Sequence, residues 1–359
     1  MHVNRTPRIA FVTLGCAKNE VDTDKMQARL AAAGLSIVDD VDDADLVIVN
    51  TCAFLASAVE EGLEVIFDLV GRENAAGREL KVLVAGCMPA RYGNDLAAEL
   101  VEAAGFLAAG DEDNVVEEVT RLLDGDVSLV RADRSLIRHA YPTSAYVKIS
   151  DGCDRFCSYC MIPHIRGRYH SYPLSRIDDE VAELVCNGVR EIVLIGQDTG
   201  IWGHDFEEPS TTATLVRTLA HRYPDTWFRL LYVQPEGIDD ELLDVIATYP
   251  NVCPYLDMPL QHVNAEVLAR MNRSGNAKDI LALLDHVRDR VPDIKIRTTL
   301  MAGFPGETEE QFEELLDFVD EAGFDYAGVF AFSPEEGSAA YGLDGQIDDD
   351  ERLGRAQRL

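Results

Sequence analysis

Short apolar runs alternate with amphipathic stretches along most of the chain, and this alternation limits the possible folds more than any other feature. Between Arg8 and about Asp124, we predict strands at 8–15, 45–50 and 80–86 and helices at 21–33, 54–70, 91–104 and 113–123. Strands that alternate with helices typically form a parallel sheet covered by helices. The sequence therefore predicts an N-terminal doubly wound α/β domain.

The same alternation resumes near residue 145. Strands are predicted at 145–150, 191–196, 227–233, 254–258, 294–300 and 326–332, with helices near 175–187, 211–222, 239–248, 264–272, 277–290 and 308–322. Six β/α units are fewer than the eight that close a TIM barrel, so we expect an open, partial (β/α)6 barrel. The predicted organisation is an α/β domain over 1–126, a linker over 127–144, the partial barrel over 145–335 and a C-terminal extension over 336–359.

Charge and hydropathy exclude several classes of function. The chain has 64 acidic and 32 basic residues, a net charge of −32. Nucleic-acid binding favours the opposite sign, so this acidity suits a basic protein partner or reflects a generally acidic proteome. No run approaches the roughly 18 apolar residues of a membrane span, and no secretory signal is visible, so we expect a cytoplasmic protein without a membrane partner.

Three of the eight cysteines, Cys153, Cys157 and Cys160, lie in one loop after the strand predicted at 145–150. In a chain without a secretory signal, clustered thiols favour metal binding over disulfides. Three thiolates can bind a four-iron cluster and leave one iron open. A zinc site completed by His164 is the alternative, although zinc ribbons favour paired C-x2-C knuckles. We call these three residues the loop cysteines.

Cys16, Cys52 and Cys87 form a second set, which we call the strand-end cysteines. They are 36 and 35 residues apart, yet each immediately follows a predicted strand. Because the carboxyl ends of parallel strands meet at one edge of a sheet, the three thiols should converge there. A single free cysteine is usually a packing residue, and we assign that role to Cys186 and Cys253. Three cysteines at equivalent positions predict a second metal site.

The segment GCDRFCSYC, with Tyr159 before the last cysteine, resembles the CxxxCxxC motif of the radical S-adenosylmethionine (SAM) superfamily. That resemblance implies a 4Fe-4S cluster that binds SAM and cleaves it to a 5′-deoxyadenosyl radical, with the loop cysteines as the catalytic ligands. Further segments resemble the methylthiotransferases: LGCAKNEVD at 14–22, NTCAF at 50–54, GCMP at 86–89 and GFPGET at 303–308. This family resemblance implies a second 4Fe-4S cluster on the strand-end cysteines, with one SAM as methyl donor and another as radical source.

Two segments, LIGQDTGIWG at 194–203 and YLDMPLQH at 255–262, resemble the branch that modifies an aspartate β-carbon of ribosomal small-subunit protein 12. The alternative branch modifies a tRNA adenosine (MiaB type). The resemblance implies a basic ribosomal protein substrate, an electron donor such as flavodoxin or ferredoxin, and a sulfide source, and it leaves RNA contact open. Both branches end in a TRAM β-barrel. No such pattern follows Phe332, so we expect either a chain truncated before TRAM or a protein that lacks this domain.

Several further residues are candidate contacts of SAM. They are Tyr159, Gln197, Asp198, Gly303, Gly306 and Glu307. The GFPGET segment follows a strand and opens a helix, where free N–H groups suit an anion, although it is equally a capped turn. Gln261 and His262 end a barrel strand and should face the active site. Arg166 is a candidate partner for a carboxylate of SAM or of the substrate.

Overall fold

The computed structural model describes residues 6–123 and 142–359. These residues form two compact units. The first comprises the described residues up to Pro142 together with His164–Arg166, and the second comprises Thr143–Pro163 and Gly167–Leu359. Residues 127–141 of the predicted linker lie outside the described residues, so that part of the predicted organisation stays a prediction.

The first unit contains a parallel five-stranded sheet. Its strands are β1 (Arg8–Thr13), β2 (Ser36–Ile37), β3 (Leu46–Thr51), β4 (Lys81–Gly86) and β5 (Gly105–Ala108). Its helices are α1 (Ala17–Ala32), α2 (Ala56–Leu69), α3 (Cys87–Glu99) and α4 (Val115–Leu122). The strand order is β2-β1-β3-β4-β5, and every neighbouring pair is parallel. This confirms the predicted doubly wound sheet.

The central strands of this sheet are deeply buried. All six residues of β3 are buried, and its Leu46 and Ile48 pack with Met26 and Leu30 of α1 in one apolar cluster. Burying each such side chain contributes roughly 1.5–3 kcal/mol. The strand ends that carry the cysteines are therefore anchored by a well-packed core.

The second unit contains the predicted partial barrel. Its strands are β6 (Ser144–Lys148), β7 (Ser150–Asp151), β8 (His170–Ser171), β9 (Glu191–Ile195), β10 (Trp227–Leu230), β11 (Tyr255–Gln261), β12 (Lys295–Ala302) and β13 (Tyr326–Ala331). Its helices are α5 (Ile162–Ile165), which runs into the first unit, α6 (Leu174–Cys186), α7 (Thr212–Arg222), α8 (Asp240–Thr248), α9 (Ala265–Arg270), α10 (Ala277–Arg290), α11 (Glu309–Ala322) and α12 (Asp349–Arg358).

Two parallel sheets, β6-β9-β10 and β11-β12-β13, together build the barrel wall. A backbone hydrogen bond of 2.9 Å from Val233 N to Asp257 O and a bridge between Phe228 and Val252 connect the two sheets. The six long strands thus form an open arc, as predicted. None of the helices within the described residues is both long and apolar enough to cross a membrane.

Several elements of the structure differ from the predicted ones. Strands β2 and β5 and the β7–β8 hairpin were not predicted, because strands of two to four residues are too short to show a period. Helix α3 begins at Cys87, several residues before the predicted start, and ends at Glu99. The end of the predicted helix lies instead in the turn that leads into β5.

Candidate functional site

The loop cysteines lie in a segment whose base is closed by the β7–β8 hairpin. Gly152 opens the segment with φ +71°, and a Cβ atom there would lie 2.1 Å from the carbonyl oxygen of Arg168. The amide of Cys153 donates to Gly167 O at 3.2 Å. Only glycine fits this crossing of two backbones, which brings the ends of the cysteine segment together.

The loop thiols are surrounded by groups suited to metal-bound sulfur. Burial, followed by the neighbouring thiols of Cys157 and Cys153, raises the pKa of Cys160 to about 12, and the Ile162 amide opposes this shift. That amide lies 3.5 Å from Cys160 Sγ. A metal binds the thiolate, so binding must displace the proton that burial holds on Cys160, and metal affinity at this site should rise with pH.

Arg273 is a neighbour of the loop cysteines that the sequence did not reveal. Its Nη1 lies 3.9 Å from Cys157 Sγ, while its Nη2 donates to Gln234 Oε1 at 2.7 Å and to Pro259 O at 2.9 Å. The guanidinium is therefore fixed beside the thiol, 116 residues away in sequence. No local pattern marks Arg273, since its position depends on how the turn after α9 packs.

Two of the predicted SAM contacts have polar atoms in suitable surroundings. Gln197 Nε2 donates to Asp151 Oδ1 at 3.0 Å, whereas its buried Oε1 has no hydrogen-bond partner among the described residues. Asp198 is fully buried and accepts from Arg155 Nε at 2.6 Å. A buried acceptor without a donor is costly unless a ligand satisfies it, so Gln197 fits a ligand with an amino group.

Tyr159 lies against the loop thiols. Burial, followed by the nearby Cys157 thiol, raises the pKa of Tyr159 well above its ordinary value. Its ring packs against an apolar cluster that includes Met271 and Phe304. The neutral phenol therefore forms part of the apolar wall beside the cysteine segment.

The GFPGET segment differs from its predicted use as an open anion site. Both carboxylate oxygens of Glu307 lie 3.1 Å from Gly303 N, and Gly306 N donates to Gly345 O at 2.7 Å. Thr308 caps α11 in a full capping box. These amides have partners within the chain, so the geometry favours the capped-turn alternative, and contact with SAM at these residues stays a prediction.

His262 does not line an open active site as its strand-end position suggested. Its side chain is fully buried, and its Nε2 lies 3.4 Å from Glu307 Oε2. Asn264 N donates to His262 Nδ1 at 3.0 Å, which leaves the proton on Nε2, facing the carboxylate. Glu307 also accepts from Arg355 Nη1 at 2.7 Å. This buried network ties the GFPGET turn to α12.

The strand-end cysteines follow the three adjacent strands β1, β3 and β4, as predicted. In this strand order β2 lies on one side of β1 and β3 on the other, so the direction of strand addition switches between β1 and β3, and ligands of open α/β sheets bind at such a point. Cys16 and Cys52 flank it. A Cβ atom on Gly15 would lie 2.7 Å from Cys52 Cβ, so the Cys16 loop passes directly over Cys52.

Asn19 holds this second site together. Its Nδ2 donates to Leu14 O and to Thr51 O, both at 2.9 Å, and so connects the loops that carry Cys16 and Cys52. Its Oδ1 lies 3.8 Å from the sulfur atoms of both Cys16 and Cys87. One fully buried amide therefore contacts two of the three thiols and fixes the backbone beside the third.

Arg166 has a different carboxylate partner from the one considered for it. Its Nη2 donates to Asp22 Oδ2 at 3.0 Å and to Asn19 Oδ1 at 2.9 Å, and lies 3.8 Å from Cys87 Sγ. Burial raises the pKa of Cys87 to about 11, and the Arg166 guanidinium opposes this shift. Arg166 is thus a component of the strand-end site in the first unit.

The spacing of the thiols bears on the zinc alternative that involves His164. In residues 6–123 and 142–359, no three His, Cys, Asp or Glu side chains converge closely enough to bind one metal ion. Ligands of one zinc lie about 2.3 Å from the metal and so crowd together. A four-iron cube takes each thiolate at a different iron and tolerates wider spacing. The described residues therefore give no support to a zinc site completed by His164.

The remaining two cysteines have different surroundings. Cys253 is 4% exposed and packs in the core, as predicted. Cys186, the last residue of α6, is instead exposed, so its assignment as a packing residue is wrong. A helix position near the C-terminal end can face solvent even when the residue type favours burial.

Each of the two units matches a known protein family. Residues 147–319 match the model of the radical SAM superfamily, and residues 8–108 match that of the uncharacterized protein family UPF0004. The ribosomal protein uS12 methylthiotransferase RimO of Syntrophus aciditrophicus is 41% identical, over 96% of this chain and 78% of the relative. The protein of the same name from Geobacter sulfurreducens is 42% identical, over 99% of this chain and 81% of the relative.

Among solved structures, the radical SAM methyltransferase TsrM of Kitasatospora setae has a similar fold. The TM-score is 0.66 at 17% sequence identity, over 92% of this chain and 76% of that one. Identity this low supports the fold alone, whereas the matches at about 40% identity over nearly all of this chain support a closer relationship. The chain therefore belongs to the radical SAM methylthiotransferases, in the family named for the ribosomal protein uS12 methylthiotransferase RimO.

Proposed function

We propose that this protein inserts a methylthio group at the β-carbon of an aspartate in ribosomal protein uS12. One SAM provides the methyl group, and another is the source of the radical that removes the hydrogen. The observation that carries the proposal is the presence of two cysteine triads, each with three thiols, in a chain about 40% identical to RimO proteins. Three ligands leave one iron of each cluster open to a small molecule.

The loop cysteines are the proposed ligands of the cluster that binds SAM. When bound, that cluster supplies the electron that cleaves SAM and so generates the radical. The chain would supply the surroundings: Gln197 Oε1, which has no partner among the described residues, would accept from the amino group of SAM, and Tyr159 would exclude water. Arg273 places a permanent positive charge beside Cys157. In a buried site, such fixed charges act more strongly than they do in water.

The strand-end cysteines are the proposed ligands of the second cluster, whose open iron carries the sulfur to be transferred. Asn19 connects their loops, and the sheet edge holds the three thiols in a fixed arrangement. A rigid arrangement favours one cluster geometry over alternative modes of iron binding. An electron donor such as flavodoxin or ferredoxin and a source of sulfide complete the proposed cycle.

The acidity of the chain supports the protein substrate over tRNA. A net charge of −32 attracts a basic ribosomal protein and repels phosphates. The relatives described above are named for uS12, so the tRNA alternative is not favoured. The cytoplasm is the proposed location, because ribosomal proteins are available there.

Anaerobic reconstitution followed by counting iron and sulfide tests the two-cluster assignment. We expect about eight irons in the wild type and about four in each triple variant, C153A/C157A/C160A and C16A/C52A/C87A. The matched control, C186A/C253A, changes cysteines outside both sites and should keep the full complement. A single four-iron site in the wild type would contradict the proposal.

Mass spectrometry of uS12 and of tRNA after incubation with SAM, sulfide and a reductant tests the substrate. We expect uS12 to gain the mass of one methylthio group less the hydrogen that it replaces, and tRNA to remain unmodified. Both triple variants should leave uS12 unchanged. Modification of tRNA instead of uS12 would retain the chemistry and overturn the proposed substrate.

A further inference from the structure

The arginine beside the strand-end cysteines is buried together with its ion-pair partner. The Arg166 side chain is 3% exposed, and its ion-pair partner Asp22 is 4% exposed. Burying a charge is unfavourable, and removing one partner of a buried pair leaves the other charge uncompensated. Because this buried ion pair lies at the sheet edge where a ligand is expected, we expect it to affect that ligand.

The position of Arg166 matches the electrostatic needs of a bound cluster. Asn19 Oδ1 accepts well from two neutral thiols, but it would face two thiolates once Cys16 and Cys87 bind iron. The Arg166 Nη2 lies within 2.9 Å of that same Oδ1 and within 3.8 Å of Cys87 Sγ. Because arginine stays protonated, it supplies a donor and a positive charge where negative charge accumulates.

We infer that Arg166 is a positioning residue of the strand-end site, which orients Asn19 and Cys87 and stabilises the reduced form of the cluster bound there. This inference rests on the proposed two-cluster function. It adds that the guanidinium beside the strand-end cysteines comes from the segment that follows the loop cysteines in sequence, since His164–Arg166 belong to the first unit.

The direction of the effect follows from charge. Reduction adds one electron to the cluster, so a nearby cation and an N–H group directed at a cysteine sulfur favour the reduced form. Asp22 works against Arg166, because its carboxylate places a negative charge 3.0 Å from the guanidinium. Removing Arg166 should therefore lower the midpoint potential, and neutralising Asp22 should raise it.

The test uses the full chain with C153A/C157A/C160A, so that only the strand-end cluster is present. The midpoint potential of that cluster is measured by redox titration with electron paramagnetic resonance. We expect R166Q to shift the potential to more negative values, and R166K, which keeps the charge but loses the planar fork, to give a smaller shift. D22N should shift the potential in the positive direction.

The matched control is R29Q, which breaks the ion pair of Arg29 on α1 with Asp113 in the same unit, away from the thiols. Its potential should equal that of the background. A background that binds no iron would defeat the two-cluster function itself. If iron binds and R166Q leaves the potential unchanged, the role of Arg166 is disproved. If R166Q loses its cluster, an unchanged or more negative potential in D22N disproves it equally.

Discussion

The two cysteine sites use the same number of thiols but are built in opposite ways. The loop cysteines span eight residues, and a glycine crossing closes their segment locally. The strand-end cysteines span 72 residues and meet only after three strands have paired in parallel. The loop site therefore depends on local backbone conformation, whereas the strand-end site depends on the integrity of a whole sheet.

Each site nevertheless contains an arginine close to one thiol. Arg273 lies 3.9 Å from Cys157 Sγ, and Arg166 lies 3.8 Å from Cys87 Sγ. Both are held by other partners, Arg273 by neutral carbonyl oxygens and Arg166 by a carboxylate and an amide. A positive charge thus lies beside a cysteine sulfur in both sites, although one site is a local loop and the other is the edge of a sheet.

The largest effect is expected from G152A, which should break the loop site alone. A side chain at φ +71° costs about 1–3 kcal/mol in strain, and its Cβ would lie 2.1 Å from a backbone oxygen that cannot move aside easily. The iron content should fall from about eight to about four, with SAM cleavage lost. The control G188A has φ +94° with no atom within 4 Å of its Cβ, so it tests strain without the clash.

The second effect is expected from N19A, which should break the strand-end site alone. The substitution removes the side-chain donor from two carbonyl oxygens, the buried Thr51 O and the partly buried Leu14 O, at a cost of up to about 1–3 kcal/mol each. We expect about half of the iron to be lost while SAM cleavage persists. The control N74A removes a buried asparagine that donates to Ala44 O in the same unit. If N74A loses as much iron as N19A, general destabilisation explains both.

A smaller effect is expected from R273Q. The glutamine is too short to satisfy both Gln234 Oε1 and Pro259 O, so the free energy of unfolding should fall by about 1–3 kcal/mol. Loss of the charge should also slow SAM cleavage, measured as 5′-deoxyadenosine formed per minute. R273K should restore part of that rate. Equal rates in wild type and R273Q would remove Arg273 from the loop site.

The smallest effect concerns thiol reactivity in protein without iron. The thiolate is the reactive form, so a pKa of about 11 at Cys87 slows alkylation on the order of 100-fold relative to a free cysteine. Cys160, with a pKa of about 12, should be slower still, and the exposed Cys16 and Cys186 should react before both. Peptide mapping after timed iodoacetamide treatment measures this order, and early alkylation of Cys87 would contradict the structure.

Much of the architecture could be predicted from the sequence because it depends on repeated patterns. The six long barrel strands and the three central strands of the first sheet carry strong apolar periods, and the structure contains all of them. The convergence of Cys16, Cys52 and Cys87 follows from parallel pairing alone. Short strands such as β2 lack a period and were missed.

What escaped prediction depends on long-range packing. Arg273 reaches Cys157 across 116 residues, and Arg166 reaches Asp22 across 144. Glu307 and His262 looked accessible from their positions after strands, yet the structure buries them against each other and Arg355. A strand-end position predicts where the Cα atom of a residue lies, but the contacts of its side chain depend on elements far away in sequence.

The assignment of His164–Arg166 to the first unit has a consequence for how these enzymes can be recombined. An N-terminal fragment cut within 124–141 carries all three strand-end cysteines and Asp22 but leaves Arg166 behind. Exchanging that fragment between relatives would join one parent's carboxylate to the other parent's guanidinium. Successful chimaeras should therefore transfer His164–Arg166 together with the N-terminal fragment, because residues on both sides of the cut build this site.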